Sequence, residues 1–293
     1  MRLLVTGGSG FLGGALVRRA VAAGHAVAVL TRRVQADSGN GVTTVIGSLE
    51  APPWDEIAAF EPDTVVHAAW IATPGVYLDS PENADWQRWS EAFAVGLPGV
   101  GVRHLTVLGT CIEYAVTGQP LNESTTPLDP RSPYARAKVG LNQALERALA
   151  GSGMTLGWAR IFYPYGPGEH PARLASSLLA RIRSGQPLVL RTPHSTKDYI
   201  HEDDVGSALL TLAQDRFEGP VNVGTGEGVT IEAFARLLAR LAGRPDLVTL
   251  PADPVRDPLD HVVADAGRLR SMGWKPRVAL VDGLRRFVES RAG

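Results

Sequence analysis

The sequence predicts an α/β protein built on a doubly wound parallel sheet, with a smaller C-terminal α/β lobe. Three observations carry that prediction. The chain opens Arg2-Leu3-Leu4-Val5-Thr6-Gly7-Gly8-Ser9-Gly10-Phe11-Leu12-Gly13, where β-favouring residues run into three glycines spaced by three. Short, continuous apolar runs then recur, separated by helical or polar stretches, as strands covered on both faces require. Beyond residue 161 the texture changes to turn-rich chain with shorter strand-like pieces.

The opening stretch is read first as a phosphate site. Glycine lets the backbone take unusual angles and come close to an anion, and the first N–H groups of a helix have no internal partner. A helical pattern through Leu12, Leu16, Val17 and Ala20 follows the turn, so strand, glycine corner and helix stand in the order that dinucleotide binding needs. Gly24 ends that helix. Further strands are expected at Ala26–Leu30, Val42–Ile46, Thr64–Ala69, Leu105–Gly109 and Leu156–Ile161. In such a sheet the ligand lies at the carboxyl ends of the strands.

Past 161, Tyr163-Pro164-Tyr165-Gly166-Pro167-Gly168 reads as a loop, followed by a helix over about 172–184. Strand-like pieces are expected at 188–191, 198–201 and 221–223, and helices at 203–213, 231–241 and 278–290. The domain reading is therefore 1–161 for the dinucleotide, with a return segment of about 198–223, and 162–293 otherwise as a lobe over the mouth of the sheet.

Composition excludes several classes. In 293 residues, 44% apolar and 20% charged content is ordinary for a globular protein, and a net charge of −1 with no charged block implies neither nucleic acid nor an anionic membrane as partner. No apolar run reaches the length of a membrane span, and the start reads directly into a strand, with no signal peptide expected. One cysteine allows no internal disulfide, and a cytoplasmic setting is expected.

The cofactor end is read from an absence. In NAD-binding folds an acid near the end of the second strand accepts hydrogen bonds from the adenosine ribose, and arginine replaces it where a 2′-phosphate must fit. Here the strand ends Leu30-Thr31-Arg32-Arg33, with no carboxylate before Asp37. Guanidinium groups pair with phosphate through parallel hydrogen bonds, so Thr31, Arg32 and Arg33 predict NADP(H) over NAD. Ser48 and Leu49 are placed beside the adenine, and Ala68 and Ala69 under the phosphates and nicotinamide ribose. His67 is read as a packing histidine.

The chemical end is Ser132-Pro133-Tyr134-Ala135-Arg136-Ala137-Lys138, opening a helix that runs to about Leu149. Serine suits the N-cap and proline the first helical position. Tyr134 and Lys138, four apart, share a helix face. A tyrosine starts from a pKa of about 10, and one nearby ammonium lowers it by roughly one to three units, so Lys138 is expected to adjust Tyr134 toward neutrality. Thr110, at the end of the fifth strand, supplies a hydroxyl for a substrate carbonyl oxygen.

These residues, with Arg160 through Gly168, Lys197-Asp198-Tyr199-Ile200-His201 and Asn222-Val223-Gly224-Thr225-Gly226, resemble the extended short-chain dehydrogenase/reductases of the NAD-dependent epimerase/dehydratase type, which act on nucleotide-sugars. The resemblance covers nearly the whole chain. It implies a Rossmann domain, a catalytic triad carried by Thr110, Tyr134 and Lys138, and cofactor contacts at Gly7, Ser9, Gly10, Phe11, Leu12, Gly13 and Phe162. It also implies a lobe binding a nucleoside diphosphate sugar and a homodimer through a four-helix bundle formed by the helices of about 84–94 and 134–149. Trp70, Cys111, Tyr163, Glu169, His170, Arg191, His194, Lys197 and Arg256 are the substrate-binding candidates.

Departures from the family pattern narrow the reaction. Dehydratases of the family carry an acid directly after the hydroxyl residue; here Cys111 and Ile112 stand there, and Glu113, one place later, is expected to point away by strand alternation. Family 4-epimerases carry an aspartate at the position of Thr31. The usual phosphate-binding arginine before Asp-Tyr is Lys197, weaker for bidentate contact, which leaves Arg191 and Arg256 as alternative clamps. His201-Glu202-Asp203-Asp204 is read as acids at a helix start, and Trp86 with Trp89 as packing or dimer contacts. The expected function is NADPH-dependent reduction of a nucleoside diphosphate 4-keto-6-deoxyhexose. The alternatives are a nucleotide-sugar 4-epimerase with tightly held NAD, and a non-catalytic NADP(H)-sensing protein.

Overall fold

The computed structural model describes residues 1–33 and 41–291, so Asp37 lies outside the described residues. In chain order the elements are β1 (Arg2–Thr6), α1 (Phe11–Ala22), β2 (Ala26–Thr31), β3 (Val42–Ile46), α2 (Trp54–Phe60), β4 (Thr64–His67), α3 (Asn83–Gly96), β5 (His104–Thr110), α4 (Pro133–Ala148) and β6 (Thr155–Ile161). There follow β7 (Tyr163–Tyr165), α5 (Leu174–Arg183), β8 (Leu188–Val189), β9 (Thr196–His201), α6 (Glu202–Gln214) and β10 (Gly219–Val223). The chain closes with β11 (Gly228–Thr230), α7 (Ile231–Leu241), β12 (Val248–Thr249), β13 (His261–Val262), α8 (Gly267–Ser271) and α9 (Leu280–Ser290).

The chain divides into two compact units. The first comprises 1–113, 129–160 and 205–221. Its seven-stranded parallel sheet runs in the order β10-β6-β5-β4-β1-β2-β3. The order reverses beside β1, which opens a crevice at the strands' carboxyl ends. Every residue of β4 and β5 is buried, as strands covered by helices on both faces must be. Leu4, Val65, Leu105 and Val107 pack with Phe93, Leu141 and Trp158 in its core. Trp86 and Trp89 lie against that core, with ring centroids 5.7 Å apart.

Two local devices set the ends of the helices that matter here. Gly10, extended at φ −82 and ψ 176, enters α1 without a side-chain cap, and no acid stands in the first turn. Ser132 Oγ accepts the Ala135 N–H at 3.1 Å, with Pro133 next, which starts α4 as the sequence requires.

The second unit comprises 114–128, 161–204 and 222–291 of the described chain. Here β9 pairs antiparallel with β11 and parallel with β7 and β13. A small core of Tyr165, Leu179, Tyr199, Phe234, Leu238, Leu284 and Phe287 backs this sheet. Two buried polar residues tie it together. Asp198 accepts the N–H groups of Thr225, Gly226 and Ala264, and Asn222 bonds the Tyr114 hydroxyl and the Leu121 carbonyl. Those Asn222 bonds place 114–128 in this unit and not with residues 1–161 as the sequence reading had it. The returning segment is likewise 205–221, because β9 belongs to the smaller sheet.

Candidate active site

The glycine corner has the shape that a phosphate needs. Gly7 takes a φ of +69, and a Cβ there would stand 2.7 Å from the Ala69 nitrogen. A Cβ on Gly13 would collide with the Gly7 carbonyl, so only glycine lets α1 pack this close to the turn. Ser9 and Gly10 are exposed, Phe11 and Leu12 half-buried, and α1 starts without a side-chain cap, at the positive end of a helix, which favours an anion. These features fit a dinucleotide pyrophosphate.

At the end of β2, Thr31 Oγ1 donates to the Arg33 carbonyl at 3.1 Å, and Arg32 and Arg33 are exposed. Ser48 Oγ accepts the Ala51 N–H, Leu49 is buried, and Ala69 N–H reaches Thr6 Oγ1. β4 ends at His67, so Ala68 and Ala69 are loop and not strand. His67 is fully enclosed, hydrogen-bonded to Thr6 Oγ1 at 2.7 Å and Ser90 Oγ at 2.9 Å. Burial, with the Lys138 charge adding, pushes its pKa down to about 3, so it is a neutral structural bridge.

Thr110, Tyr134 and Lys138 meet at the end of β5 and the start of α4. The Thr110 side chain lies by the Tyr134 phenol, where it favours the ionised form. Lys138 Nζ donates to the Leu108 carbonyl at 2.8 Å, lies 5.9 Å from the Tyr134 ring centroid, and stands 3.7 Å over the Trp70 ring. Trp70 and Tyr77 close on Tyr134 edge-to-face, with centroids at 6.3 and 4.8 Å. Trp70 is itself held by Asn83, whose Oδ1 accepts its indole N–H and whose Nδ2 donates to the Tyr77 carbonyl. The sequence reading missed Tyr77 and Asn83. For Tyr77, an aromatic directly after the turn-rich run Ala72-Thr73-Pro74-Gly75-Val76 was the available signal.

The electrostatics correct one expectation. Burial drives the Tyr134 phenol well above its ordinary range, with Tyr77, Glu113 and Cys111 adding, against the lowering by Thr110. Burial also pushes Lys138 down to about 7, against the raising effect of Glu113. Desolvation is the largest cause here, and it favours the protonated phenol.

Glu113 is turned away from the site, by a different route from strand alternation. The strand ends at Thr110, and Cys111–Glu113 form a 3₁₀ turn that folds the carboxylate beneath it. There it pairs with Arg160 Nε at 2.7 Å, and Trp158 Nε1 donates to both its oxygens. Cys111 is buried.

The substrate candidates of the second unit separate. His194 and Arg256 line a cavity of about 360 Å³ with Ser195, Thr196, Val255, Asp257 and His261. The Arg256 side chain is 89% exposed. Lys197 is buried and spends its ammonium on Asp257 Oδ2 at 3.0 Å and the Leu259 carbonyl, with the Tyr163 ring 5.3 Å away. It is therefore internally paired, contrary to a role as an open clamp. Arg191 is exposed, and its carbonyl accepts the Val255 N–H. Glu169 is buried and accepts the Ser176 N–H near the start of α5, while His170 is exposed. Phe162 is fully buried, its N–H bonded to the Val223 carbonyl. Glu169 and Phe162 are both packed in the interior of the second unit. Glu202, Asp203 and Asp204 stand in the first turn of α6, and Asp204 also accepts the N–H groups of Arg277 and Val278, which fastens the chain before α9.

A glycine corner at a switch point and a Thr/Tyr/Lys cluster define a nicotinamide-dinucleotide enzyme of the short-chain dehydrogenase/reductase class. The chain belongs to the NAD dependent epimerase/dehydratase family, whose model matches residues 3–224, and is of the extended type that modifies nucleotide-sugars. It is 26% identical over 300 residues to UDP-glucuronic acid decarboxylase 1 of Xenopus tropicalis, covering 98% of this chain and 71% of that protein. It is 28% identical over 310 residues to dTDP-6-deoxy-L-talose 4-dehydrogenase (NAD(P)(+)) of Kitasatospora kifunensis, covering 97% and 93%. Among solved structures, MoeE5 in complex with UDP-glucuronic acid and NAD superposes with a TM-score of 0.84 at 26% identity, covering 98% of each chain. UDP-glucose 4-epimerase of Thermus thermophilus, in complex with NAD, gives 0.84 at 28% identity, covering 99% of this chain and 98% of that one. No helix among the described residues is long and apolar enough to cross a membrane.

Proposed function

We propose that this chain reduces a nucleoside diphosphate 4-keto-6-deoxyhexose with NADPH in the cytoplasm. One observation carries the reading: Thr110, Tyr134 and Lys138 meet at the end of β5 and the start of α4, while the carboxylate at 111–113 is engaged by Arg160 and not free to remove a substrate proton. The similarity to a dTDP-6-deoxy-L-talose 4-dehydrogenase along nearly the whole of both chains supports it.

Gly7, Ser9, Gly10, Phe11, Leu12 and Gly13 hold the pyrophosphate, Arg32 and Arg33 with Thr31 the 2′-phosphate, and Ser48 and Leu49 the adenine. Lys138 faces the nicotinamide ribose. When bound, NADPH supplies the hydride. Thr110 donates to the ketone oxygen, and Tyr134, whose burial favours the protonated form, acts as the general acid. Arg256 and His194, on the second unit's cavity, are the candidates there for an anionic nucleotide. α3 and α4 pack on each other, with Val95 49% exposed, and are the surface for a homodimer through a four-helix bundle.

A 4-epimerase with tightly held NAD is the second reading, favoured by the likeness to UDP-glucose 4-epimerase. Assaying NADPH oxidation against dTDP-, CDP- and GDP-4-keto-6-deoxy sugars tests both. Net oxidation supports the reductase. Copurified NAD with sugar interconversion and no NADPH consumption overturns it.

A further inference from the structure

We propose that Glu113 is a positioning residue for this reduction, acting through the backbone of Thr110. The proposal rests on the roles given to Thr110, Tyr134 and Lys138 above. Glu113 has no exposed side chain, and its two oxygens are fully engaged. Oε1 accepts the Thr110 N–H at 2.8 Å and Trp158 Nε1 at 3.2 Å; Oε2 accepts Trp158 Nε1 at 3.1 Å and Arg160 Nε at 2.7 Å.

A buried ion pair is a weak source of stability, and an apolar residue of similar size commonly serves as well. What an apolar residue cannot do is grip a backbone N–H. Here the gripped group belongs to the residue whose hydroxyl meets Tyr134. The surrounding geometry leaves no slack: a Cβ on Gly109 would stand 2.7 Å from Glu113 Oε1 and closer still to Trp158 Nε1. From the helix side, Lys138 Nζ holds the Leu108 carbonyl at 2.8 Å. Residues 108–110 are thus braced from both sides, with a carboxylate beneath and an ammonium on α4. The orientation of the Thr110 hydroxyl follows from the carboxylate's position.

The test is a double-mutant cycle. Glu113→Asp keeps the charge for Arg160 and withdraws the acceptor from the Thr110 N–H. Glu113→Met with Arg160→Met removes both charges and the acceptor for the Thr110 N–H together, and carries the test if the first variant does not fold. Each is measured in the wild-type and Thr110→Ala backgrounds for kcat, KM and NADPH affinity. We expect kcat to fall about 10- to 100-fold with KM and NADPH affinity within about 2-fold. In the Thr110→Ala background the same change is expected to cost under about 3-fold, since the group being positioned is gone. Equal losses in both backgrounds, or an unchanged kcat with a lower melting temperature, overturn the proposal. If Thr110→Ala alone leaves kcat intact, the parent reading of the site falls, a result distinct from failure of the Glu113 proposal by itself.

Discussion

The Lys138 ammonium stands 3.7 Å above the centroid of the Trp70 ring and gives one hydrogen bond to the Leu108 carbonyl. A desolvated cation over an indole gains about 2 kcal/mol from the ring's negative face. Burial nonetheless pushes its pKa from 10.5 to about 7. Trp70→Leu keeps an apolar cover and removes the face. Its stability deficit is expected to be larger by about 1–2 kcal/mol at pH 6 than at pH 9, because the folded ammonium discharges as pH rises through about 7. Urea unfolding at the two pH values measures it; a pH-independent deficit argues against a cation at this spot.

Tyr134→Phe removes the proton and leaves the edge contacts to Trp70 and Tyr77. Turnover with a nucleoside diphosphate 4-keto sugar is expected to fall by roughly 10²–10⁴, with NADPH affinity retained. Stopped-flow NADPH oxidation and fluorescence titration read the two quantities separately. Unchanged turnover removes Tyr134 from the mechanism.

Arg32 and Arg33 stand exposed past the end of β2, where no carboxylate competes among the described residues 31–33. Replacing both by serine is expected to weaken NADPH about 10- to 100-fold and to leave NADH nearly unchanged, since each charge-assisted bond contributes about 1.5–3 kcal/mol. Isothermal titration with both cofactors decides it. Equal losses for the two would assign the arginines elsewhere.

His67 titrates near 3 in the folded chain and at 6.5 when solvated. Between those values the unfolded chain binds a proton that the folded chain does not, so stability falls as pH drops. The slope from this one group approaches about 1.4 kcal/mol per pH unit. His67→Gln, which can still bond Thr6 and Ser90, is expected to flatten the acid limb of a stability profile taken from pH 7 to 4.5. An identical limb would mean the histidine is protonated inside the fold.

The central sheet was legible because its strands are buried on both faces and write themselves as unbroken apolar runs. Val42–Ile46 matches at both ends, and β5 differs from the expected Leu105–Gly109 by one residue at each end. The start of α4 was legible because its cap is local: Ser132, Pro133 and the Ala135 N–H lie within four residues. Less legible was everything that depends on which distant residue arrives. Glu113 meets Arg160 across 47 positions, and Asn222 meets Tyr114 across 108. Neither pairing has a period to read.

By itself the sequence determined the glycine corner, the strands β1 to β6 of the central sheet, and the shared face of Tyr134 and Lys138, since each follows from chain geometry over a few residues. Tertiary structure alone decided that burial favours the protonated Tyr134 phenol, that Lys138 sits over Trp70, that Glu113 turns inward to Arg160, and that Lys197 is spent on Asp257. Those outcomes depend on desolvation and on partners brought together by packing, and both exist only once the chain has folded.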